Sequence, residues 1–166
     1  MIGRRSFLHG AACAGLAALA STRAAKAEAA GLPAPSASAV CPVCGMFVAK
    51  FPEWLAGVEV RGGHVHYFDG PKDMFKFLAD PGRYVPGLKG GDIVRAVVTD
   101  YYAVLPLDAR KALFVAGSDV LGPMGHELIP LAGPADAEAF TKDHGGRTPI
   151  GFDQVTPDVI AALDKG

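Results

Sequence analysis

The sequence is poor in cysteine, with three among its 166 residues, and it has no long apolar run. Its N-terminal apolar stretch, residues 11–20, is about half of the roughly 20 residues that a membrane-spanning helix needs. A glycine-rich phosphate loop, a Gly-x-Ser-x-Gly elbow and a His-Glu-x-x-His helix are all missing. These absences argue against a membrane span in the mature chain and against a hydrolytic enzyme, and we predict that the protein is not an enzyme.

The N-terminus contains the features of an export signal. Arg4 and Arg5 are followed by Ser-Phe-Leu, a short apolar run and small-x-small cleavage motifs, a pattern that is typical of twin-arginine export. We therefore expect residues 1–29 to be a cleaved signal and the mature protein to be periplasmic. Residues 30–40 are rich in alanine, glycine, proline and serine, which predicts a flexible leader.

Two further expectations follow from this N-terminus. Neither Cys13 nor Cys41 follows the Leu-small-small pattern of a lipoprotein signal, so a lipid anchor is not expected. Cleavage would also remove four of the 16 basic residues but at most one of the 17 acidic ones, which leaves a net charge of about −4 or −5. That balance argues against nucleic acid or an anionic membrane surface as a partner, and it mildly favours cations.

An internal repeat predicts the organisation of the folded part. The block that begins at Gly70-Pro71 matches the block that begins at Gly133-Pro134, 63 positions later, in Gly, Pro, Asp, Phe and a final Asp. Glycine followed by proline and an acidic first turn is a helix start. A third start, Thr-Pro-Asp at 156–158, predicts a C-terminal helix that runs to Leu163.

Short segments rich in β-branched and aromatic residues surround these helices. They lie at 58–61, 65–68, 93–99, 102–105, 113–116 and 127–130. We therefore predict an α+β fold of two β-β-α-β units packed as one compact body. The first unit spans residues 41–100 and contains the candidate metal site, and the second spans 101–166 with the C-terminal helix.

The candidate site begins with Cys-Pro-Val-Cys-Gly-Met at 41–46, which brings two thiols and a thioether together. Thiolate and thioether ligands favour Cu(I), and Cys44 and Met46 point to one side of an extended segment. Cys41 and Cys44 could instead form a structural disulfide in an oxidising compartment. A third possibility is a redox-active pair, although that site needs a strand before it and a helix after it, and residues 45–48 indicate a strand.

Other soft or imidazole ligands lie further along the chain. Met124 and His126 are two residues apart in a glycine-rich turn, and His64 and His66 alternate along a predicted strand. Each is also a common packing or solvent-facing residue. The histidines offer no pair at helical spacing to complete a four-ligand zinc site, so zinc ranks below Cu(I).

Several blocks, taken together, resemble the NosL family of exported copper-binding accessory proteins. The blocks are Cys-Pro-Val-Cys-Gly-Met at 41–46, His-Tyr-Phe-Asp at 66–69 with Met74, Ala-Leu-Phe-Val at 112–115, Gly-Pro-Met-Gly-His-Glu-Leu-Ile-Pro at 122–130, and Phe140 with His-Gly-Gly at 144–146. The resemblance implies a duplicated β-β-α-β fold, similar in topology to part of organomercurial lyase. It also implies Cu(I) delivery to the membrane-linked machinery that assembles nitrous oxide reductase.

Carried onto this sequence, the resemblance implies Cys44 and Met46 as Cu(I) ligands. Cys41, Met124, His126 or His66 would supply a further contact. The first hypothesis is therefore a periplasmic Cu(I) chaperone whose partner is a copper-enzyme assembly machinery at the periplasmic face of the membrane. The alternative is a periplasmic thiol-disulfide oxidoreductase that acts on a copper protein through Cys41 and Cys44.

Overall fold

The computed structural model describes residues 31–165. The export signal predicted for residues 1–29 lies outside this range. Within it, no helix combines the length and the apolar character needed to cross a membrane.

The first repeat is a hairpin, a helix and a returning strand, as the sequence predicts. Its elements are β1 Ala56–Val60, β2 Val65–Phe68, α1 Pro71–Ala79, α2 Pro81–Tyr84, β3 Ile93–Thr99 and β4 Pro106–Asp108. The four strands form a sheet in the order β2-β1-β3-β4, with all neighbours antiparallel. The tight turn between β1 and β2 uses Gly62 and Gly63, both at positive φ, a backbone conformation that favours glycine.

The second repeat has the same order of elements and the same strand pairing. It comprises β5 Leu113–Gly122, β6 Gly125–Leu131, α3 Pro134–His144 and β7 Ile150–Gly151, and α4 Pro157–Leu163 follows it. Its sheet order is β6-β5-β7, which corresponds to β2-β1-β3 of the first repeat. The α+β class is therefore confirmed.

The two equivalent helices begin in the same way. Gly70 and Gly133 are the N-cap residues, with extended backbones at φ −177° and −169°, and a proline occupies the first turn of each helix. An aspartate, Asp73 or Asp136, lies in each first turn, where the positive end of the helix dipole stabilises it. The 63-residue offset in the sequence therefore relates the first residues of two structurally equivalent helices.

Two local predictions are wrong. Residues 102–105 form a turn because Asp100 accepts two backbone hydrogen bonds. Its carboxylate accepts from the N–H of Ala103 at 2.7 Å, and its carbonyl accepts from the N–H of Val104 at 2.9 Å. The strand of that region, β4, comes after the turn. Residues 45–48 pair only through a single bridge between Val40 and Phe47, and a 3-10 helix, Val48–Lys50, follows.

The main hydrophobic core is shared by the two repeats. Phe68, Phe75 and Phe77 from the first repeat belong to one buried cluster with Phe114 and Leu128 from the second. The rings of Phe75 and Phe114 meet edge to face, with centroids 5.1 Å apart. Each such side chain, fully buried, stabilises the fold by about 1.5–3 kcal/mol. Helix α1 is therefore packed between its own sheet and the second repeat.

The residues just before the cysteine motif lie against the first sheet. Leu32 occupies the space beside Gly57, where a side chain on Gly57 would collide with it. The hydroxyl of Tyr67 donates a hydrogen bond to the carbonyl of Pro33. Residues 31–39 form no helix or strand, and the flexibility expected for the leader stays a prediction.

Candidate metal centre

A tight turn brings the two thiols of the motif together. The N–H of Cys41 donates to the carbonyl of Met46 at 2.9 Å, and the N–H of Gly45 donates back to the carbonyl of Cys41 at 2.8 Å. Gly45 is at φ 79°, a conformation that costs an L-residue roughly 1–2 kcal/mol. The chain therefore folds back on itself within six residues.

Two carboxylates from the start of α1 complete a four-residue cluster. The Sγ atoms of Cys41 and Cys44 and one carboxylate oxygen each of Asp69 and Asp73 all lie within 4.8 Å of one another. Cys44 Sγ is 3.1 Å from Asp69 Oδ1, and Cys41 Sγ is 3.6 Å from Asp73 Oδ2. Such an arrangement of four donors around one point is what a metal site requires.

The cluster is largely closed to solvent. Cys41, Asp69 and Asp73 are buried, whereas Cys44 is half-buried. Asp69 Oδ2 is buried and has no hydrogen-bond partner within residues 31–165. A buried oxygen without a partner is costly, and a bound cation would satisfy it. Cys44 is the more accessible of the two thiols.

Helix α1 explains why two acidic side chains are tolerated there. Asp69 immediately precedes the N-cap residue of α1, and Asp73 lies in its first turn, so the helix dipole favours both negative charges. Lys76 lies one turn later, with its Nζ 3.3 Å from Asp73 Oδ1. The negative charges beside the thiols are therefore stabilised by the N-terminal end of α1 and, for Asp73, by Lys76.

Both thiols have raised pKa values. Burial raises the pKa of Cys41 to about 11, against a usual 9.0. Burial also raises the pKa of Cys44, and its hydrogen bond to Asp69 acts in the same direction. The metal-free site therefore holds protonated thiols at neutral pH, and a metal must displace their protons. Redox-active thiols have lowered pKa values, and the pKa shifts of these two thiols are in the opposite direction.

The second repeat contributes a buried acidic side chain next to the cluster. Glu127 in β6 accepts hydrogen bonds from the backbone N–H groups of Lys72 and Leu128, at 2.6 and 2.8 Å. Burial raises the pKa of Glu127 to about 8, against the opposing effect of those N–H groups and of Lys72. The ammonium group of Lys72 donates to the carbonyl of Met124 at 3.0 Å. The Met124 turn is thereby attached to α1.

The predicted ligands fall into three groups. Cys41 and Cys44 are free thiols inside the cluster. Met46 is half-buried in the same loop, and Met124 is exposed in the β5–β6 turn, one residue before Gly125. The geometry leaves the thioethers as candidate ligands, and their assignment stays a prediction.

The two candidate histidines lie outside the four-residue cluster. His66 in β2 packs against Phe77 and His64, with ring centroids 5.1 and 4.6 Å apart. His126 lines a cavity of about 180 Å3 together with Arg147 and Leu163. Neither imidazole joins the donors that meet at Cys41 and Cys44 in the described part of the chain.

Asp69 and Asp73 were not among the predicted ligands. Their four-residue spacing across a helix start is a signal that both carboxylates project from one end of that helix. Their partners, however, lie 25 and 32 positions earlier in the chain. No local pattern connects an aspartate to a cysteine at that distance, so only the fold reveals the cluster.

The donor set is mixed in character. Two thiolates with a nearby thioether suit Cu(I), whereas carboxylates suit harder ions. Asp69 and Asp73 supply the second pair of donors that the sequence lacks as cysteine or histidine, and two thiolates with two carboxylates also match ligand types that Zn²⁺ accepts. The site therefore fits a soft or borderline metal ion.

Fold and site together define a duplicated α+β protein with a candidate thiol-carboxylate metal site at the start of its first helix. The NosL family model matches residues 33–160. The chain belongs to the NosL family, and the resemblance inferred from its motifs is confirmed.

Two relatives carry informative names. The "Copper-binding lipoprotein NosL" of Stutzerimonas stutzeri is 31% identical over 118 residues, which cover 69% of this chain and 60% of that protein. This chain thus spans less than two thirds of that relative. The crystal structure of the copper chaperone NosL from Shewanella denitrificans superposes with a TM-score of 0.64 at 29% identity, covering 77% of this chain and 97% of that one.

Proposed function

We propose that this protein is a periplasmic, non-enzymatic chaperone that binds Cu(I) and delivers it to the assembly machinery of nitrous oxide reductase. The observation that carries the proposal is the convergence of Cys41 and Cys44 with two buried carboxylates, all within 4.8 Å. The names of the two relatives support copper as the ion. The twin-arginine motif supports export.

The ligands follow from the chemistry of the donors. The thiolates of Cys41 and Cys44 and the thioether of Met46 are soft ligands that prefer Cu(I). Met124 is our choice for a further contact, with His126 and His66 as alternatives. Because Cys44 is half-buried, its side of the site is accessible to an acceptor protein, whose ligands replace those of the chaperone. Copper then passes by ligand exchange without release into solvent.

Anaerobic titration of the reduced, processed protein with Cu(I) tests the binding site. We expect one tightly bound ion per chain, and a large loss of affinity in Cys44→Ser and in Met46→Ala. Cys41→Ser measures whether the deeper thiol is a ligand or only lines the site. Retained affinity in both Cys44→Ser and Met46→Ala would refute the ligand assignment. Zn²⁺, titrated in parallel with the same variants, shows which ion depends on the thioether.

An insulin reduction assay distinguishes the chaperone from the oxidoreductase. The raised thiol pKa values predict no disulfide reductase activity in wild type. Activity that disappears in Cys41→Ser, combined with unchanged behaviour of Met46→Ala, would favour the redox function instead.

Transfer to metal-free nitrous oxide reductase tests the recipient. The Cu(I)-loaded protein should restore copper to that enzyme faster than an equal concentration of Cu(I) held by a small chelator. Equal transfer rates from the chelator would remove the chaperone step from the proposal.

Replacing Arg4 and Arg5 by lysine tests the export route. The variant should stay in the cytoplasm if export uses the twin-arginine route.

A further inference from the structure

Two buried ionisable side chains from different repeats meet at the start of α1. Lys72 and Glu127 are each only 3% exposed. The backbone N–H of Lys72 donates to Glu127 Oε1 at 2.6 Å, and its side-chain ammonium donates to the carbonyl of Met124 at 3.0 Å. Lys72 Nζ also lies 3.4 Å from Asp164, just after α4. Neither residue is among the four donors of the cluster.

The space for the Glu127 side chain is provided by two glycines. A methyl group at Gly70 would collide with Glu127 Oε2, and one at Gly122 would lie 3.1 Å from Glu127 Cγ. Gly70 has an extended backbone at φ −177°, a conformation open to any residue. Glycine is needed at Gly70 for space and not for its backbone angle, so the pocket is shaped around the carboxylate.

These contacts connect the two halves of the candidate site. Asp73 of the cluster directly follows Lys72, and Met124 lies at the tip of the β5–β6 hairpin, where Gly122 pairs with Gly125. A buried ammonium or carboxylate is expensive unless it is paired and hydrogen-bonded. Displacing the hairpin would leave Lys72 and Glu127 without these partners. The hairpin is therefore fixed to the helix end that carries the cluster.

We infer that Lys72 and Glu127 are positioning residues that hold the Met124 hairpin against the metal site without themselves binding the ion. The inference rests on the proposed function for its effect on Cu(I). Second-sphere partners of this kind typically change metal affinity by about 10–100-fold. Lys72→Leu, which removes the ammonium group but keeps the backbone N–H and adds no metal ligand, should therefore weaken Cu(I) binding about tenfold.

A double-mutant cycle separates positioning from general damage. If Lys72 acts through Met124, then Lys72→Leu should cause no further loss of Cu(I) affinity in a Met124→Ala background. Full additivity of the two losses would overturn the inference. Glu127→Gln keeps an oxygen acceptor of the same shape for the Lys72 N–H and should retain most of the affinity.

Methionine methyl NMR gives a readout that does not need copper. The sequence has four methionines, and Met74, fully buried in the core, serves as an internal reference for correct folding. In the metal-free protein, Lys72→Leu should move the Met124 methyl signal towards that of a free side chain, with the Met74 signal unchanged. Lys76→Leu is the matched control, since Lys76 contacts Asp73 and Asp164, and it should leave the Met124 signal in place.

The outcomes distinguish this inference from the proposed function. An unchanged Met124 signal in metal-free Lys72→Leu would overturn the positioning role, even if wild type binds Cu(I) tightly. Absence of Cu(I) binding by wild type would instead refute the proposed function, while the metal-free NMR comparison still decides whether Lys72 holds the hairpin.

Discussion

At the scale of single residues, the protonation of the two thiols determines how metal binding at the candidate site depends on pH. Cys41, with a pKa raised to about 11, and Cys44, whose pKa is also raised by burial, keep their protons at neutral pH. Thiolate is the form that binds a metal ion. Each thiol that becomes a ligand therefore releases one proton, and metal affinity depends on pH.

We predict that Cu(I) affinity rises with pH throughout the range below the thiol pKa values. If both thiols bind, the logarithm of the apparent association constant should increase by about two per pH unit, because two protons are released. In Cys41→Ser or Cys44→Ser the slope should fall to about one. The measurement is competition against a Cu(I) chelator of known proton dependence, between about pH 6 and pH 8. A wild-type slope near one would mean that a single thiol loses its proton on binding.

The predictability of the site also differs residue by residue. Cys41, Cys44 and Met46 are recognisable as candidate ligands because soft donors within six residues form a local pattern. Asp69 and Asp73 are invisible to such a search because the fold, and not the spacing, brings them to the thiols. Met124 is linked to the site through the hydrogen bond that its carbonyl accepts from Lys72, which is a contact between repeats.

At the scale of elements, helix starts were the most predictable feature. Glycine, proline and aspartate act on the backbone within one turn, so the starts of α1 and α3 follow from local chemistry alone. Strand limits depend on partners elsewhere in the chain. For that reason residues 102–105 formed a turn around Asp100 although their composition favours a strand.

The two equivalent N-caps should respond differently to the same substitution. Gly70→Ala places a methyl group against Glu127 Oε2, whereas no described atom lies within 4 Å of a methyl group at Gly133. We predict that Gly70→Ala lowers the free energy of unfolding by about 1–3 kcal/mol. Gly133→Ala should change it by no more than about 0.5 kcal/mol. Urea unfolding of both variants measures the difference.

Removing the carboxylate provides the control for this pair. In a Glu127→Ala background the collision at Gly70 is absent, so Gly70→Ala should then cost about as little as Gly133→Ala does. An equal cost of the two alanines in the wild-type background would contradict the contact that we describe between Gly70 and Glu127.

At the scale of the whole molecule, the repeats share one core although they repeat one topology. Phe114 from β5 lies in the same buried cluster as Phe68 and Phe77 from the first repeat. Trp54, which precedes β1, packs against the smaller cluster formed by residues of β5, β6 and α3. The hydrophobic pattern predicts each unit separately, but it does not specify how the units are packed together.

We therefore predict that the two repeats unfold in a single transition. Phe114→Ala removes a fully buried ring from the shared core and should lower the free energy of unfolding by about 3–5 kcal/mol. Fluorescence of Trp54, the only tryptophan in the chain, and far-UV circular dichroism should show the same urea midpoint in wild type and in the variant. Phe47→Ala is the matched control, because Phe47 is 47% exposed and its loss should change stability little. Two separated midpoints would show that the repeats are independent units. A contact such as that between Lys72 and Met124 would then not let the second repeat stabilise the candidate metal site of the first.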